Sequence, residues 1–158
     1  MSNRVAYRGV LKTGRPFFYF VNSGSCLNQR EHDTDTMKKT KKNITEDKQL
    51  ALAAASIARD RNCTDITVLD LTGISPATNF FVIATSTSDR QARTVADEIS
   101  KEAKQQGHQR FGIAGYNKGQ WILLDYVTVV VHIFDGEYRD YYNLEMLWGD
   151  AKQLTIDE

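Results

Sequence analysis

The chain has 158 residues, enough for one domain with a core of ordinary size, and 41% of them are hydrophobic. No apolar run approaches the roughly 20 residues of a membrane-spanning helix, which argues against a helical membrane protein. Residues 1–43 carry nine basic and three acidic residues, whereas 44–158 carry eleven basic and seventeen acidic, so a broad basic face for nucleic-acid phosphates is not expected in the second segment.

Residues 1–43 are predicted to be a disordered basic extension, because they lack an apolar periodicity long enough to pack. The first thirty residues contain five basic side chains and no acid, which is typical of an organelle transit segment. A plainer account is that the protein starts at Met37, which heads "MKKTKKN", and that residues 1–36 lie upstream of the true start. We favour the start at Met37 and keep the transit segment as the alternative.

Residues 44–150 are predicted to form the folded domain. It opens with a helix near Thr45, whose hydroxyl can act as N-cap, and a strand follows at 64–71. Alternation places Val68 and Leu69 on opposite faces of that strand. "NFFVIAT" (79–85) is rich in aromatic and branched residues, as central strands are.

The second helix is the clearest element of the sequence. Ser88 and Gln91 have the spacing of a capping box, and Gly107 supplies a C-terminal stop. Its apolar stripe is predicted to consist of Ala92, Val95, Ala96, Ile99 and Ala103.

Three short strands and a helix complete the domain. The strands are predicted around Phe111 to Ala114, in "QWILLDY" and in "VTVVVHIF", and "EYRDYYNLEMLWGD" is predicted to be one helix that ends at Gly149. The resulting order, α-β-β-α-β-β-β-α, predicts an α/β (α+β) fold with a mixed, roughly five-stranded sheet and helices packed on it. Residues 151–158 are left as a C-terminal tail.

The stretch "LLDYVTVVVHIF" (123–134) raises the question of catalysis, because it contains both Asp125 and His132. No G-x-S-x-G motif accompanies them, and His132 lies inside a strand between Val131 and Ile133, so we interpret it as a structural or surface histidine. Asp65, Asp70 and Asp125 could instead be carboxylates of a nucleotidyltransferase, but their spacing does not suit one ion, and we assign them to strand ends and turns.

Other kinds of site are equally poorly supported. Cys26 and Cys63 are isolated, which predicts neither a disulfide nor a zinc site and makes Cys63 a packed thiol. The hydroxyls of "ATSTSDRQ" could face a phosphate, but the segment lacks a glycine for close backbone approach. The sequence therefore predicts no catalytic residue, no metal and no cofactor.

Aromatic residues are concentrated towards the C-terminus, in larger number than one small core needs. Tyrosine and tryptophan are common anchors of protein interfaces, so an interaction surface is as good an account of the group as core packing. The group consists of Tyr116, Trp121, Tyr126, Tyr138, Tyr141, Tyr142 and Trp148.

Two long blocks, "TNFFVIATSTSDRQARTVADEI" and "WILLDYVTVVVHIFDGEYRDYYNLEMLWGDA", resemble the Iojap/RsfS family of ribosomal silencing factors. The resemblance runs from about Thr45 to Lys152. It implies a nucleotidyltransferase-like fold without the active site, and a protein that is not an enzyme. It also implies binding to the large ribosomal subunit through its protein fourteen, which blocks joining of the small subunit and represses translation. Organellar members assist assembly of the large subunit at the same place, and the sequence does not separate the two roles.

Carried over by position, the family's partner-binding residues are Trp121, Asp125, Tyr126, Tyr142 and Leu144. The resemblance further implies a cytoplasmic protein, or an organellar one if residues 1–36 are a transit segment. A minor contact of Lys38–Lys42 with ribosomal RNA and a homodimer are left open.

One departure from the family pattern affects the predicted docking surface. Val127 stands where the family usually has glycine, and a β-branched residue does not readily take the positive φ of such a turn. We therefore expect the turn after Asp125 to be reshaped. A second departure, Asn79 and Phe80 in place of Asp-Tyr, removes one charge without threatening the fold.

Overall fold

The computed structural model describes the backbone of residues 4–10, 16–22 and 33–156 and the side chains of residues 43–156. The chain forms two compact units, Met1–Lys39 and Thr40–Glu158. In the first unit, β1 (Arg4–Val10) pairs antiparallel with β2 (Pro16–Asn22). The sequence predicted disorder before about Asn43. In that segment the structure describes the backbone of these two strands and of the first turns of a helix. For the other residues of the segment, which lie outside the described ranges, disorder stays a prediction.

Helix α1 (Asp33–Asp60) begins twelve residues before the predicted cap at Thr45. The prediction of a helix start there is wrong, because the lysine-rich segment ahead of Thr45 continues the helix. Lysine is a good helix former and Thr45 costs little in a helix interior, so nothing local requires the helix to begin at the capping residue. Strands β3 (Thr64–Asp70) and β4 (Phe80–Thr85) follow, as predicted within one residue at each boundary.

Helix α2 (Asp89–Gln105) agrees closely with its prediction. The Ser88 hydroxyl accepts the Gln91 N–H at 3.2 Å, and the Gln91 side-chain oxygen accepts the Thr87 N–H at 2.7 Å. The hydroxyl considered for phosphate binding therefore caps the helix. All five predicted stripe residues are buried: Ala92, Val95, Ala96, Ile99 and Ala103.

The next three strands are β5 (Gly112–Ala114), β6 (Trp121–Asp125) and β7 (Val129–Phe134). Gly115 turns the chain out of β5 with φ at +73°, and a Cβ there would stand 1.8 Å from the carbonyl oxygen of Trp121. Only glycine fits such an approach, so this residue fixes where Trp121 enters the sheet.

The C-terminal segment is not the single helix that was predicted. It forms α3 (Gly136–Tyr142) and α4 (Leu144–Leu147), separated by Asn143 in the left-handed conformation, with φ at 38°. The Asn143 N–H donates to the Arg139 carbonyl, and its side-chain oxygen accepts the Met146 N–H at 3.2 Å. Asparagine tolerates this conformation and caps both helix ends, which explains the break.

The second unit contains a six-stranded sheet in the order β5-β6-β7-β4-β3-β8. The predicted mixed sheet is confirmed: β4 and β7 are parallel, and the other pairs are antiparallel. The sheet has one strand more than expected because β8 (Lys152–Leu154), in the segment predicted to be a tail, pairs with β3.

The sheet has two differently built faces. The α1/α2 face is covered by those two helices over Val82, Leu124 and Val131. The α3/α4 face carries Leu69, Leu71, Ile83 and Phe134, against which the rings of α3 and the segment 144–151 pack. Val68 and Leu69 lie on opposite faces, as the alternation predicted.

Candidate functional site

A group of stacked rings occupies the α3/α4 face. Trp121 on β6 lies opposite Phe134 on β7, and their ring centroids are 5.0 Å apart. Tyr142 reaches the pair from α3, with its ring 4.5 Å from that of Trp121. Burial and the neighbouring tyrosines 138 and 141 raise the pKa of Tyr142, so its phenol is neutral near pH 7. These large, preorganised rings are the residue types that anchor protein interfaces.

His132 lies beneath this group as part of the sheet. Its Nδ1 accepts the Trp121 indole N–H at 3.2 Å, and its ring is 4.9 Å from that of Phe81. Burial, together with the positive charge of Arg139, lowers the pKa of His132 to about 3. The imidazole is therefore neutral in the folded protein at ordinary pH, and its contacts give it the structural role that its position in the strand predicted.

The structure brings together three of the five residues expected to bind a partner. Trp121, Tyr142 and Leu144 all pack in the α3/α4 cluster. Asp125 is on the same side of β6 but four residues further along, about 13 Å from Trp121 at 3.3 Å per residue. Tyr126 is buried on the α1/α2 face, with 6% of its surface exposed. The first three form one surface, and Tyr126 faces away from it.

Asp125 and the turn that follows it have a defined geometry. The Asp125 carboxylate accepts the Val127 N–H at 2.7 Å, and Val127 takes φ of +71°. The expectation that Val127 would reshape the turn by avoiding positive φ is wrong, because the residue adopts that conformation. A β-branched residue in this region is strained, and the Asp125 contact helps to hold it there.

Sequence reasoning missed two exposed side chains on α4, the short helix that begins at Leu144. Met146 and Leu147 on α4 are 72% and 63% exposed. A continuous helix would have given Tyr141, Leu144 and Trp148 one stripe, but the break at Asn143 turns the two segments relative to each other. Leu144 and Trp148 pack inward, while Tyr141 is exposed. The available signal was Asn143, the residue type that breaks a helix in this way.

Arg139 is a third residue that the sequence did not single out. It is buried, and its guanidinium donates to the Asp65 carbonyl at 2.7 Å and the Thr85 hydroxyl at 3.4 Å while pairing with Glu145. These partners lie on β3, β4 and α4, so one side chain ties both short helices to the sheet. The fork geometry of arginine suits this bridging of several acceptors.

The carboxylates considered for nucleotidyl transfer do not form a site. Asp70 on β3 accepts the Thr72 N–H at 2.9 Å, and Asp125 on β6 serves the Val127 turn. Two strands separate β3 from β6, which places the two aspartates about 14 Å apart across the sheet. Among the described residues there is no cluster of three histidine, cysteine or acidic side chains suited to a metal.

The remaining sequence candidates have ordinary surroundings. Cys63 is a buried free thiol, and burial raises its pKa, as the packed-thiol prediction required. Cys26 lies outside the described residues. In the part of the chain that the structure describes, every helix is too short or too polar to cross a bilayer.

Comparisons with known proteins agree with this fold. A family model described as ribosomal silencing factor during starvation, RsfS, matches residues 44–158. The chain is 39% identical to the ribosomal silencing factor RsfS of Bacillus subtilis over 110 residues, which are 70% of this chain and 93% of that protein. It is 36% identical to the chloroplastic protein Iojap of Zea mays, over 67% of this chain and 46% of that one. A crystal structure of a Chromobacterium violaceum protein has 34% identity and a TM-score of 0.61, covering 67% of this chain and 86% of that chain.

Proposed function

The chain belongs to the RsfS family of ribosomal silencing factors, and on that premise we propose that it binds protein fourteen of the large ribosomal subunit. Bound there, it covers the face that the small subunit must reach and represses translation by steric exclusion. The observation that carries this proposal is the cluster of Trp121, Tyr142 and Leu144, with the exposed Met146 and Leu147 following Leu144 on the same short helix.

Charge supports a basic partner for this surface. Glu137 and Asp140 are exposed on α3, which also carries Tyr142, and Asp150 is exposed two residues after Trp148. Arg139 is buried and paired with Glu145. Exposed acidic side chains on the same segments as the apolar ones suit a basic ribosomal protein, because opposite charges raise the rate of encounter and apolar burial then slows dissociation.

The proposed activity does not require the protein to catalyse a chemical reaction. Asp70 and Asp125, the carboxylates considered above for nucleotidyl transfer, stabilise turns and lie about 14 Å apart across the sheet, so the proposal gives them no catalytic role. The protein acts where its ribosomes are: in the cytoplasm, or in an organelle if residues 1–36 are a transit segment. Contact of Lys38–Lys42 with ribosomal RNA and a homodimer stay predictions.

Subunit joining tests the proposal directly. Purified small and large subunits are mixed with the protein and separated on a sucrose gradient, and joined ribosomes should fall as the protein cosediments with large subunits. Trp121→Ala should weaken this binding by about 2 kcal/mol, roughly 30-fold, because it removes the central ring. Tyr116→Ala is the matched control, since Tyr116 is an aromatic residue that bonds to Asp97 on α2, away from the rings.

Two results would contradict the proposal. If Trp121→Ala folds normally and cosediments as the wild type does, the surface is wrong. If the protein binds only immature large subunits and leaves mature subunits free to join, it assists assembly instead of silencing.

A further inference from the structure

A groove of about 300 Å³ lies beside the stacked rings, lined by Glu137, Tyr138, Tyr141 and Tyr142. All four residues come from α3. Because Tyr142 also contacts Trp121, the groove is continuous with the proposed docking surface. Of the five partner-binding residues implied by the family resemblance, Tyr142 alone lines the groove, so the groove extends that surface along α3.

The three tyrosine rings line the groove at different angles. The centroids of Tyr138 and Tyr142 are 5.9 Å apart with planes inclined by 37°, and those of Tyr141 and Tyr142 are 5.1 Å apart and nearly perpendicular at 88°. Rings set at an angle present both faces and edges to a group between them. The faces carry the negative part of the aromatic quadrupole, which attracts a cation within about 6 Å.

One carboxylate completes this lining. Glu137 is exposed on the first turn of α3 and forms no ion pair with another residue in the described part of the chain. The Tyr138 hydroxyl donates to the Gln120 side-chain oxygen at 3.4 Å. Asp140 is also exposed on this helix, and the single arginine of α3 is buried against Glu145. The exposed charged side chains of α3 are therefore both acidic.

We propose that this groove receives a lysine or arginine side chain of the ribosomal protein on which the ring surface docks. The inference rests on the proposed function and adds to it a specific contact at the rim of the interface. The cationic head lies against the tyrosine faces and meets the Glu137 carboxylate, while the aliphatic stem covers apolar ring surface. An apolar side chain would fill the same volume but would leave the carboxylate without a counter-charge.

The test measures binding to purified large ribosomal subunits at several salt concentrations for four single variants. Glu137→Gln keeps the shape of the groove and removes its charge, and Tyr138→Leu removes one ring. Tyr138→Phe keeps the ring and loses only the hydroxyl. Asp60→Asn, at an exposed carboxylate at the end of α1, is the matched control for a loss of one negative charge.

A cation in the groove predicts that Glu137→Gln and Tyr138→Leu each weaken binding about three-fold, while Tyr138→Phe and Asp60→Asn stay close to the wild type. Glu137→Gln should also reduce the dependence of the affinity on salt, because one opposite-charge contact is lost.

Other outcomes overturn the inference in distinguishable ways. If Tyr138→Leu weakens binding and Glu137→Gln strengthens it or leaves it unchanged, the groove holds an apolar side chain. If neither variant changes the affinity while Trp121→Ala does, the ring surface docks as proposed and the groove lies outside the interface. If the wild-type protein does not bind large subunits, the proposed function fails and the inference fails with it.

Discussion

The two faces of the sheet differ in the size of the side chains that pack on them and in how completely those side chains are buried. On the α1/α2 face, small residues such as Ala54 and Ala96 let long helices approach the sheet closely, and almost every side chain of the cluster is fully buried. On the α3/α4 face, helices of seven and four residues bring large rings to the sheet, and many of these rings are only half-buried. Close aliphatic packing stabilises a fold, whereas partly exposed rings keep surface available for another molecule.

This difference implies that stability and binding can be separated by mutation. The first face has little surface to offer a partner, since its helices already cover it. The second face holds its short helices by a few specific contacts, chiefly those of Arg139, and so presents rings on a fixed support. We therefore expect variants on the two faces to change different measurements.

The largest effect is expected at Ile99, which is buried on α2 against the sheet. Ile99→Ala removes three buried carbon atoms and leaves a cavity, so it should lower the free energy of unfolding by about 3 kcal/mol in urea denaturation. Its affinity for large subunits, corrected for the folded fraction, should equal that of the wild type.

Leu147→Ala is the counterpart on the other face. Since Leu147 is largely exposed, the free energy of unfolding should change by less than about 0.5 kcal/mol, and the affinity should fall. The separation of roles is wrong if Ile99→Ala weakens binding by the folded protein or if Leu147→Ala unfolds it.

The α1/α2 face could be predicted from the sequence almost completely. Its helices are long and periodic, so the stripe of α2, from Ala92 to Ala103, follows from spacing alone. Burial on the strands follows from alternation in the same way, as Val68 and Leu69 show. On this face the local sequence pattern and the tertiary packing favour the same structure. This agreement is what allows the structure to be predicted from the sequence.

The α3/α4 face was less predictable, because single residues decide it. Asn143 breaks a segment whose apolar spacing suits one helix, and the break determines which of Tyr141 and Leu144 is exposed. Arg139 joins three elements that are distant in sequence, so no local pattern predicts its partners. Trp121, Tyr142 and Leu144 were named through a family resemblance, and that route also selected Tyr126, which the structure places on the other face.

A further prediction concerns the dependence of stability on pH, which His132 on the α3/α4 face should produce. His132 has a pKa of about 3 in the folded protein, whereas an unfolded histidine has its usual value of about 6.5. Below pH 6.5 the unfolded chain therefore binds a proton that the folded protein does not, and stability falls as the pH decreases towards 3. At pH 5 the loss due to His132 should be roughly 2 kcal/mol relative to pH 8.

The measurement is the free energy of unfolding between pH 8 and pH 5 for the wild type and His132→Gln. Glutamine retains an acceptor for the Trp121 N–H but does not titrate. The variant should lose less stability over this range, whatever its stability at pH 8. Equal slopes for the two proteins would show that His132 is not buried in its neutral form, and the ring stack would then be more open than described.

A gain in stability is expected at Val127, in the turn that leads from Tyr126, on the α1/α2 face, back into β7. Val127 is 48% exposed and has φ of +71°, so its side chain gains little from packing while its backbone is strained. Val127→Gly should relieve a strain of about 1–2 kcal/mol and lose part of that gain to the greater freedom of glycine in the unfolded chain. The net result should be a gain in stability of about 1 kcal/mol, measured by urea denaturation.

Val127→Ala, which keeps a Cβ at positive φ, should gain much less stability. If alanine and glycine stabilise equally, branching at Cβ is the source of the strain and the backbone conformation is not. If the glycine variant also binds large subunits as tightly as the wild type, the strain at Val127 favours neither stability nor binding. Docking then depends on the ring surface of the α3/α4 face alone.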